Sequence, residues 1–335
     1  MPKLVEIKNL KKYFETHRGS LHAVDDITMS MERGETIGVV GESGCGKSTL
    51  GRTLIRLLDS DEGSIIFDGE EITGIKDRRS LRKLREKAQI IFQDPYSSLN
   101  PRMTVEQTLK EPLVLSKCFS RREINEQVEN LMQMVGIDER IRMAFPHELD
   151  GGRRQRVGIG RALALNPKFV VCDEPVSALD VSIQAQILNL LMDLQEKHGL
   201  TYMFITHNMA VVRHISTNIA VMYLGQLVET SPTKELFKNP LHPYTKALLS
   251  AIPTIKSHSR KKRMVLEGEL TSPINPKPGC RFAKRCPYTK RQCHEPQALR
   301  ELESGHFVSC CRGDELASGE NTGFQINGGA GKENS

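Results

Sequence analysis

Gly41-Glu42-Ser43-Gly44-Cys45-Gly46-Lys47-Ser48-Thr49 fits the phosphate-binding pattern G-x-x-x-x-G-K-[ST]. The run before it, Thr36-Ile37-Gly38-Val39-Val40, reads as a buried strand, and Leu50 to Leu58 reads as a helix. Strand, glycine loop and helix together are the context in which this pattern holds a polyphosphate. The glycines remove side chains, so backbone N–H groups can wrap the anion. The helix presents its positive end and its unpaired N–H groups. Lys47 is placed to reach the β- and γ-phosphates, and Ser48 to offer a hydroxyl to Mg²⁺. The stretch predicts a nucleotide-binding protein and leaves open what the nucleotide drives.

A chain of 335 residues has room for one large or two smaller domains. Its 38% hydrophobic and 26% charged content fits a soluble globular protein. No apolar run approaches the ~18 residues of a membrane span. Met1-Pro2-Lys3-Leu4-Val5-Glu6 lacks the basic-then-apolar layout of a signal peptide, so a cytosolic protein is expected. The net charge of +6 is mild, and part of it sits in Arg260-Lys261-Lys262-Arg263. That run reads first as a solvated linker, with contact to anionic lipid or nucleic acid as the alternative.

Residues 1–35 read as strands at Leu4–Ile7, Leu21–Val24 and Ile27–Met31, and Ser64–Phe67 continues that β layer. Tyr13 and Phe14 precede the glycine loop, where an aromatic is either core or a platform for an adenine ring. Gln89–Phe92 reads as a buried strand ending in Gln93. A Gln at that edge of the sheet holds either Mg²⁺ or an attacking water, or merely ends the strand. Thr104 to Val135 is helical in pattern with a break near Ser120. Phe169-Val170-Val171-Cys172-Asp173-Glu174 is an apolar strand ending in two carboxylates. Asp173 suits Mg²⁺ coordination through water, and Glu174 suits a general base for water attacking the γ-phosphate. A helix from Ile183 to Lys197 follows, and the strand Thr201–Thr206 ends in His207, a candidate γ-phosphate contact.

This ordered set resembles the ATP-binding subunit of an ABC transporter over residues 1 to about 235. Gly41–Thr49 matches the Walker A loop, Gln93 the Q-loop and Phe169–Glu174 Walker B. Leu149-Asp150-Gly151-Gly152-Arg153 matches the signature, Ser177-Ala178-Leu179-Asp180 the D-loop, and His207 the H-loop. By spacing, Phe14 best matches the adenine-stacking aromatic, with Tyr13 as fallback. Gln93–Arg102, Asn239–Thr245 and the tail around Gly279–Pro287 resemble the dipeptide/oligopeptide/nickel importer ATPases.

The resemblance implies an α/β fold with a P-loop (RecA-like) core, an antiparallel β layer and a helical subdomain from about Pro95 to Arg156. It implies an ATPase domain over 1–235, a linker over 236–265, a Cys-rich extension over 266–312 and a disordered tail over 313–335. The implied machine is a bacterial or archaeal importer with an external solute-binding protein, two permeases and two ATPases. The partner ATPase is expected to be a different chain, and no nucleic acid partner is expected. The protein would sit peripherally on the cytoplasmic face of the inner membrane. Mg²⁺ would be held through Ser48, Gln93 and Asp173. A soluble ABC ATPase acting on nucleic acid would carry two cores or long coiled coils, and neither is present. A regulatory subunit of low turnover is the other rival.

Two features stand apart. The family signature is usually Leu-Ser-Gly-Gly-Gln, and here Asp150 replaces the Ser and Arg153 the Gln. A carboxylate there repels phosphate by about 4 kcal/mol at ~4 Å and an effective dielectric of ~20. Asp is also a good helix N-cap, and Arg153 three residues on is placed to neutralise it. The substitution suggests one competent and one slow ATP site in a heterodimer. Secondly, five of the eight cysteines lie between Cys280 and Cys311. In a reducing cytosol that crowding argues for a metal over disulfides. The gaps between Cys280, Cys286, Cys293 and Cys310 are wider than structural zinc prefers, which favours [4Fe–4S], with Zn²⁺ as the alternative. Cys311 is read as spare.

Overall fold

The computed structural model describes residues 2–252, 264 and 272–317. Two sheets form its frame. Strands β1 (Lys3–Thr16), β2 (Gly19–Glu32), β4 (Glu62–Phe67) and β5 (Glu70–Glu71) make an antiparallel sheet in the order β2-β1-β4-β5. The larger sheet contains β3 (Thr36–Val40), β6 (Ala88–Ile91), β7 (Phe169–Asp173), β8 (Thr201–Thr206), β9 (Asn218–Tyr223), β10 (Gln226–Pro232), β11 (Arg300–Glu303) and β12 (His306–Val308). Its order is β11-β12-β10-β9-β3-β8-β7-β6. The pairs from β9 through β6 are parallel, and β10, β12 and β11 add antiparallel strands at one edge. Every residue of β3, β7 and β8 is buried. Their unbroken apolar runs follow from a parallel sheet covered on both faces.

Helix α1 (Lys47–Leu54) leaves the glycine loop and packs between the two sheets. Helix α2 (Arg78–Lys87), a segment with six Lys or Arg in ten residues, starts where Asp77 caps it, accepting the Ser80 N–H at 2.8 Å. Helices α3 (Pro95–Ser98), α4 (Val105–Ser116), α5 (Arg121–Met134) and α6 (Gly151–Leu163) fill the expected helical insertion. Reciprocal capping boxes, Thr104 with Gln107 and Ser120 with Glu123, open α4 and α5, which is why the helical pattern breaks near Ser120. Helices α7 (Val181–His198), α8 (Met209–Ile215), α9 (Thr233–Lys238) and α10 (Pro243–Ser250) follow, and α11 (Gly313–Ala317) closes the described chain. One core joins the helical insertion to the sheet through Leu109, Val128, Ile159, Leu188 and Phe204. A second lies between the sheets around Ile7, Leu10, Val39, Leu50 and Met203.

The C-terminal region is built into this frame. Val308 and Phe307 pair with Glu229 and Thr230 of β10. Pro273 accepts the His22 N–H at 3.1 Å, and Ile274 bridges Leu21 at the edge of β2. A third core stacks Phe282 against Tyr223 and Tyr244. Residues 236–265, read as a linker, therefore carry the end of α9 and all of α10, with Tyr244 fully buried. Of the tail read as disordered, residues 313–317 form α11 instead, while 318–335 lie outside the described residues. The basic run Arg260–Arg263 lies outside them too.

A buried polar knot fixes this arrangement. Glu229 is fully buried in β10, where its carboxylate accepts the N–H groups of Leu241 (2.7 Å) and His242 (3.0 Å). It also meets His306 Nε2 at 2.7 Å. One carboxylate thus ties the core sheet, the entry to α10 and the terminal strand. His242 caps α10 through Nδ1, which accepts the Tyr244 N–H at 3.1 Å. Burial, outweighing the opposing charge of Glu229, lowers the His242 pKa from 6.5 to about 4. The folded state keeps this imidazole neutral while the unfolded chain protonates it. Stability from this site is present above 6.5 and lost as pH falls toward about 4, by ~3 kcal/mol in all. Melting temperature should fall across that window, and His242→Asn, which keeps a capping acceptor, should flatten the fall. An equally steep fall in the variant would refute this assignment.

Candidate nucleotide-binding site

Because β3, β6, β7 and β8 are parallel, their C-terminal ends share one edge of the sheet. Gly41 to Gly46 leave β3 there, Gln93 follows β6, Asp173 and Glu174 end β7, and His207 follows β8. A cavity of about 590 Å³ opens on that edge. It is lined by Phe14, Ser43, Gly44, Lys47, Gln93, Glu174 and His207, with Gly46, Ser48 and Thr49 along the loop.

The loop's shape needs its glycines. Gly46 has φ +102°, and a Cβ there would collide with the Ala23 carbonyl. Gly41 carries φ +155°, and a Cβ there would strike the Met222 carbonyl. Lys47 is almost wholly buried, and its Nζ donates to the carbonyls of Gly41 and Glu42, both at 2.9 Å. That places the ammonium across the mouth of the loop, beside the space a phosphate would fill. Cys45 packs under the loop, and burial raises its thiol's pKa.

Ser48 Oγ donates to Asp173 Oδ1 at 2.6 Å, and Asp173 is 1% exposed. A hydroxyl in the first turn of α1 and a carboxylate at the end of β7 therefore face each other, which is the donor set a hard cation such as Mg²⁺ takes. Gln93 Nε2 donates to Glu174 Oε2 at 3.1 Å, and His207 Nδ1 lies 3.2 Å from Glu174 Oε1. Glu174 itself has φ +47°, a left-handed conformation that a non-glycine residue rarely adopts. Its N–H donates to the Ile205 carbonyl at 3.0 Å, which holds it there. Strain of this kind, ~1–3 kcal/mol, collects at functional sites.

The two aromatics separate. Phe14 lines the cavity. Tyr13 turns away, stacks on His22 with centroids 3.9 Å apart and donates its hydroxyl to Asp25. Leu149, Asp150, Gly151, Gly152 and Arg153 do not line the cavity. They form the entry to α6, where Asp150 accepts the Arg153 N–H at 2.7 Å and meets Arg153 Nε at 3.3 Å. The structure thus realises the capping reading of Asp150. Gly151 and Gly152 pack against Leu179 and Ile183, so the signature rests on the D-loop and the start of α7. Ser177 Oγ donates to the Glu174 carbonyl at 3.1 Å, and Asp180 stands at the N-cap of α7.

The cysteines of the C-terminal region converge as well. Cys280, Cys286, Cys293, Cys310 and Cys311 line one small cavity with Phe282 and Arg312. The closest pair is Cys293 and Cys311, with sulfurs 3.4 Å apart, so the thiol read as spare is the one against Cys293. Among the described residues, no group of three or more His, Cys, Asp or Glu is placed to hold a metal ion. Burial pushes the Cys280 thiol up to about 12.

The fold and the loop, cation and carboxylate constellation define a P-loop nucleoside triphosphatase. Comparison with known proteins narrows this. Residues 24–177 match the ABC transporter family, and residues 228–293 match the oligopeptide/dipeptide transporter C-terminal region. The chain is 48% identical over 317 residues to the oligopeptide transport ATP-binding protein AppF of Bacillus subtilis (strain 168), across 92% of this chain and 96% of that protein. It is 47% identical over 325 residues to the oligopeptide transport ATP-binding protein OppF of Escherichia coli (strain K12), across 93% of this chain and 97% of that one. The dimeric post-hydrolysis ATP-binding cassette MJ0796, bound to ADP and Pi, superposes with a TM-score of 0.63 at 28% identity, over 68% of this chain and 98% of that one. The chain belongs to the ABC transporter ATPases, among the ATP-binding proteins of the oligopeptide-transport type.

Sequence reasoning missed several residues at this edge. Tyr244 lies in the Asn239–Thr245 stretch, which carried the family resemblance but no nucleotide role, yet its hydroxyl accepts the Glu42 N–H at 2.8 Å. Arg281 and Arg285 lie between the cysteines and reach Asp25 and Glu42. They sit in the Gly279–Pro287 stretch, where the cysteines drew the reading and the arginines did not.

Replacing Gly46 with Ala combines a collision with a forced left-handed conformation. Gly46→Ala should therefore cost about 3 kcal/mol of stability, read from a denaturant midpoint. A cost under about 1 kcal/mol, the scale of a Gly change at an unstrained site, would contradict this loop geometry.

Proposed function

We propose that this chain hydrolyses ATP to drive a binding-protein-dependent importer of di- or oligopeptides, or of a related solute such as nickel. One observation carries the reading. Lys47, Ser48, Gln93, Glu174 and His207 share one cavity, and the signature residues are absent from its lining. The site is thus half built, and a second ATPase subunit must bring its own signature to complete it. The names of the relatives supply the cargo class and the transport role. No described helix is long and apolar enough to cross a membrane, so permease subunits would supply the path. A peripheral position on the cytoplasmic face of the inner membrane follows from that division of labour.

The chemistry follows from the geometry. Phe14 offers a face to the adenine. The Gly41–Gly46 N–H groups and Lys47 bind the phosphate chain. Ser48 and Asp173, with Gln93, would hold Mg²⁺, which neutralises charge on the β- and γ-phosphate oxygens. Glu174 takes a proton from the attacking water as its oxygen bonds to the γ-phosphorus and the bond to ADP breaks. Gln93 and His207 hold the two carboxylate oxygens and orient that base.

We infer that the two ATP sites of the assembly differ. The site opposite Asp150 to Gly152 meets a carboxylate where a serine hydroxyl would serve, so it turns over slowly. The Asp150–Arg153 pair softens that repulsion without restoring the hydroxyl. In the reconstituted transporter, Glu174→Gln should abolish nearly all hydrolysis, because it disables the competent site. Substantial residual turnover would place the active site in the partner and favour a regulatory role for this chain.

For the cysteine pocket we propose a [4Fe–4S] cluster held by Cys280, Cys286, Cys293 and Cys310, with Zn²⁺ as the alternative. The support is five thiols lining one cavity and ligand spacing wider than zinc prefers; they are not gathered to ligating distance in this structure, so binding would have to draw them together. The group would staple a segment with little core of its own. Anaerobically purified protein should be brown and contain about four irons per chain. Stoichiometric zinc without iron, or no metal, would overturn this.

A further inference from the structure

Between Cys280 and Cys286 the chain sends two arginines back to the nucleotide loop. Arg285 is nearly buried, and its Nη1 donates to both carboxylate oxygens of Glu42, at 3.1 and 2.9 Å, and to Tyr223 at 3.3 Å. Glu42 is the second residue of the phosphate loop, and its own carbonyl accepts Lys47 Nζ. Arg281 pairs with Asp25 and also donates to the Leu224 carbonyl. Asp25 accepts the Tyr13 hydroxyl, and its N–H donates to Gly225, whose N–H in turn donates to the Cys45 carbonyl at 2.8 Å. Phe282, between the arginines, is seated against Tyr223 and Tyr244, and the Tyr244 hydroxyl accepts the Glu42 N–H. The C-terminal region therefore reaches the phosphate loop directly through Arg285 and Glu42, and braces it through Phe282 against Tyr244.

We propose that Arg285 is a positioning residue for ATP binding, acting by neutralising Glu42, so that the Cys280–Cys286 loop sets the nucleotide affinity of the site. The inference rests on the nucleotide site proposed above. Glu42 puts a carboxylate on the loop that must receive a triphosphate. Unpaired, it repels that anion and competes for the loop's positive field; with Arg285 Nη1 bonded to both of its oxygens, its charge is neutralised and its position fixed. Tyr244 holds the same residue through its backbone, so the loop is gripped at both main chain and side chain. Any change in the cysteine pocket that shifts this loop must change ATP affinity, and ATP must bias the pocket by the same factor.

The test is binding of a fluorescent ATP analogue to the full-length chain and its variants, with melting temperatures alongside. Arg285→Met should weaken binding about fivefold or more, within the usual range of coupling between sites. Arg285→Lys should recover most of the loss by restoring the charge. Glu42→Gln placed in the Arg285→Met background should also recover most of it, because no carboxylate is left to neutralise. A merely structural role predicts the opposite, since removing both partners would bring no recovery. Unchanged affinity in Arg285→Met, or no rescue by Glu42→Gln, would overturn the proposal. Failure of the wild-type chain to bind the analogue would overturn the nucleotide site itself, and the clamp with it.

Discussion

Parallel register is the constraint on which the rest depends. Val40 stands beside Thr206, and Asp173 beside Ile205, so three strands end within one residue of one another. Each next residue then turns into the same space. Gly41 begins the loop, Glu174 takes its left-handed conformation and His207 emerges, all without long-range adjustment. A slip of one residue in any of these pairs would flip the strand's side chains to the other face and remove its functional end from the cavity. The buried apolar faces of β3, β7 and β8 oppose such a slip, so the packing of the core also fixes the chemistry.

Much of this was legible because the strands are short, apolar and followed directly by their functional residues. Gly41–Thr49, Phe169–Glu174 and Thr201–His207 each combine a strand signal with a chemical one. The choice of Phe14 over Tyr13 rested on spacing, and the structure places Phe14 in the cavity while Tyr13 binds Asp25. Helix α2 was harder to read, since its segment is almost uniformly basic and buries only Leu84. Its cap, Asp77, is a one-residue signal easily lost in a charged stretch.

The C-terminal region was the least legible because its contacts are long-range. Nothing near Glu229 in sequence announces that it will be buried against His306, 77 positions away. Such a pair is stable only because two backbone N–H groups complete the carboxylate's bonding. A cysteine count draws attention to a metal, and it hides the arginines between the cysteines. The structure shows the reverse emphasis: the loop that bears Cys280 and Cys286 also grips the phosphate loop through Arg285 and Glu42. Extension and ATPase core therefore share one surface, and the linker reading of α10 fails because Tyr244 belongs to that surface.

The central claim is that this chain carries half of an ATP site. The most direct measurement is the turnover number per chain as the purified protein is diluted, with and without its partner ATPase. The turnover number should fall toward zero on dilution and be restored by adding the partner at equal total subunit. A turnover number that stays constant down to concentrations where the chain is monomeric would contradict it.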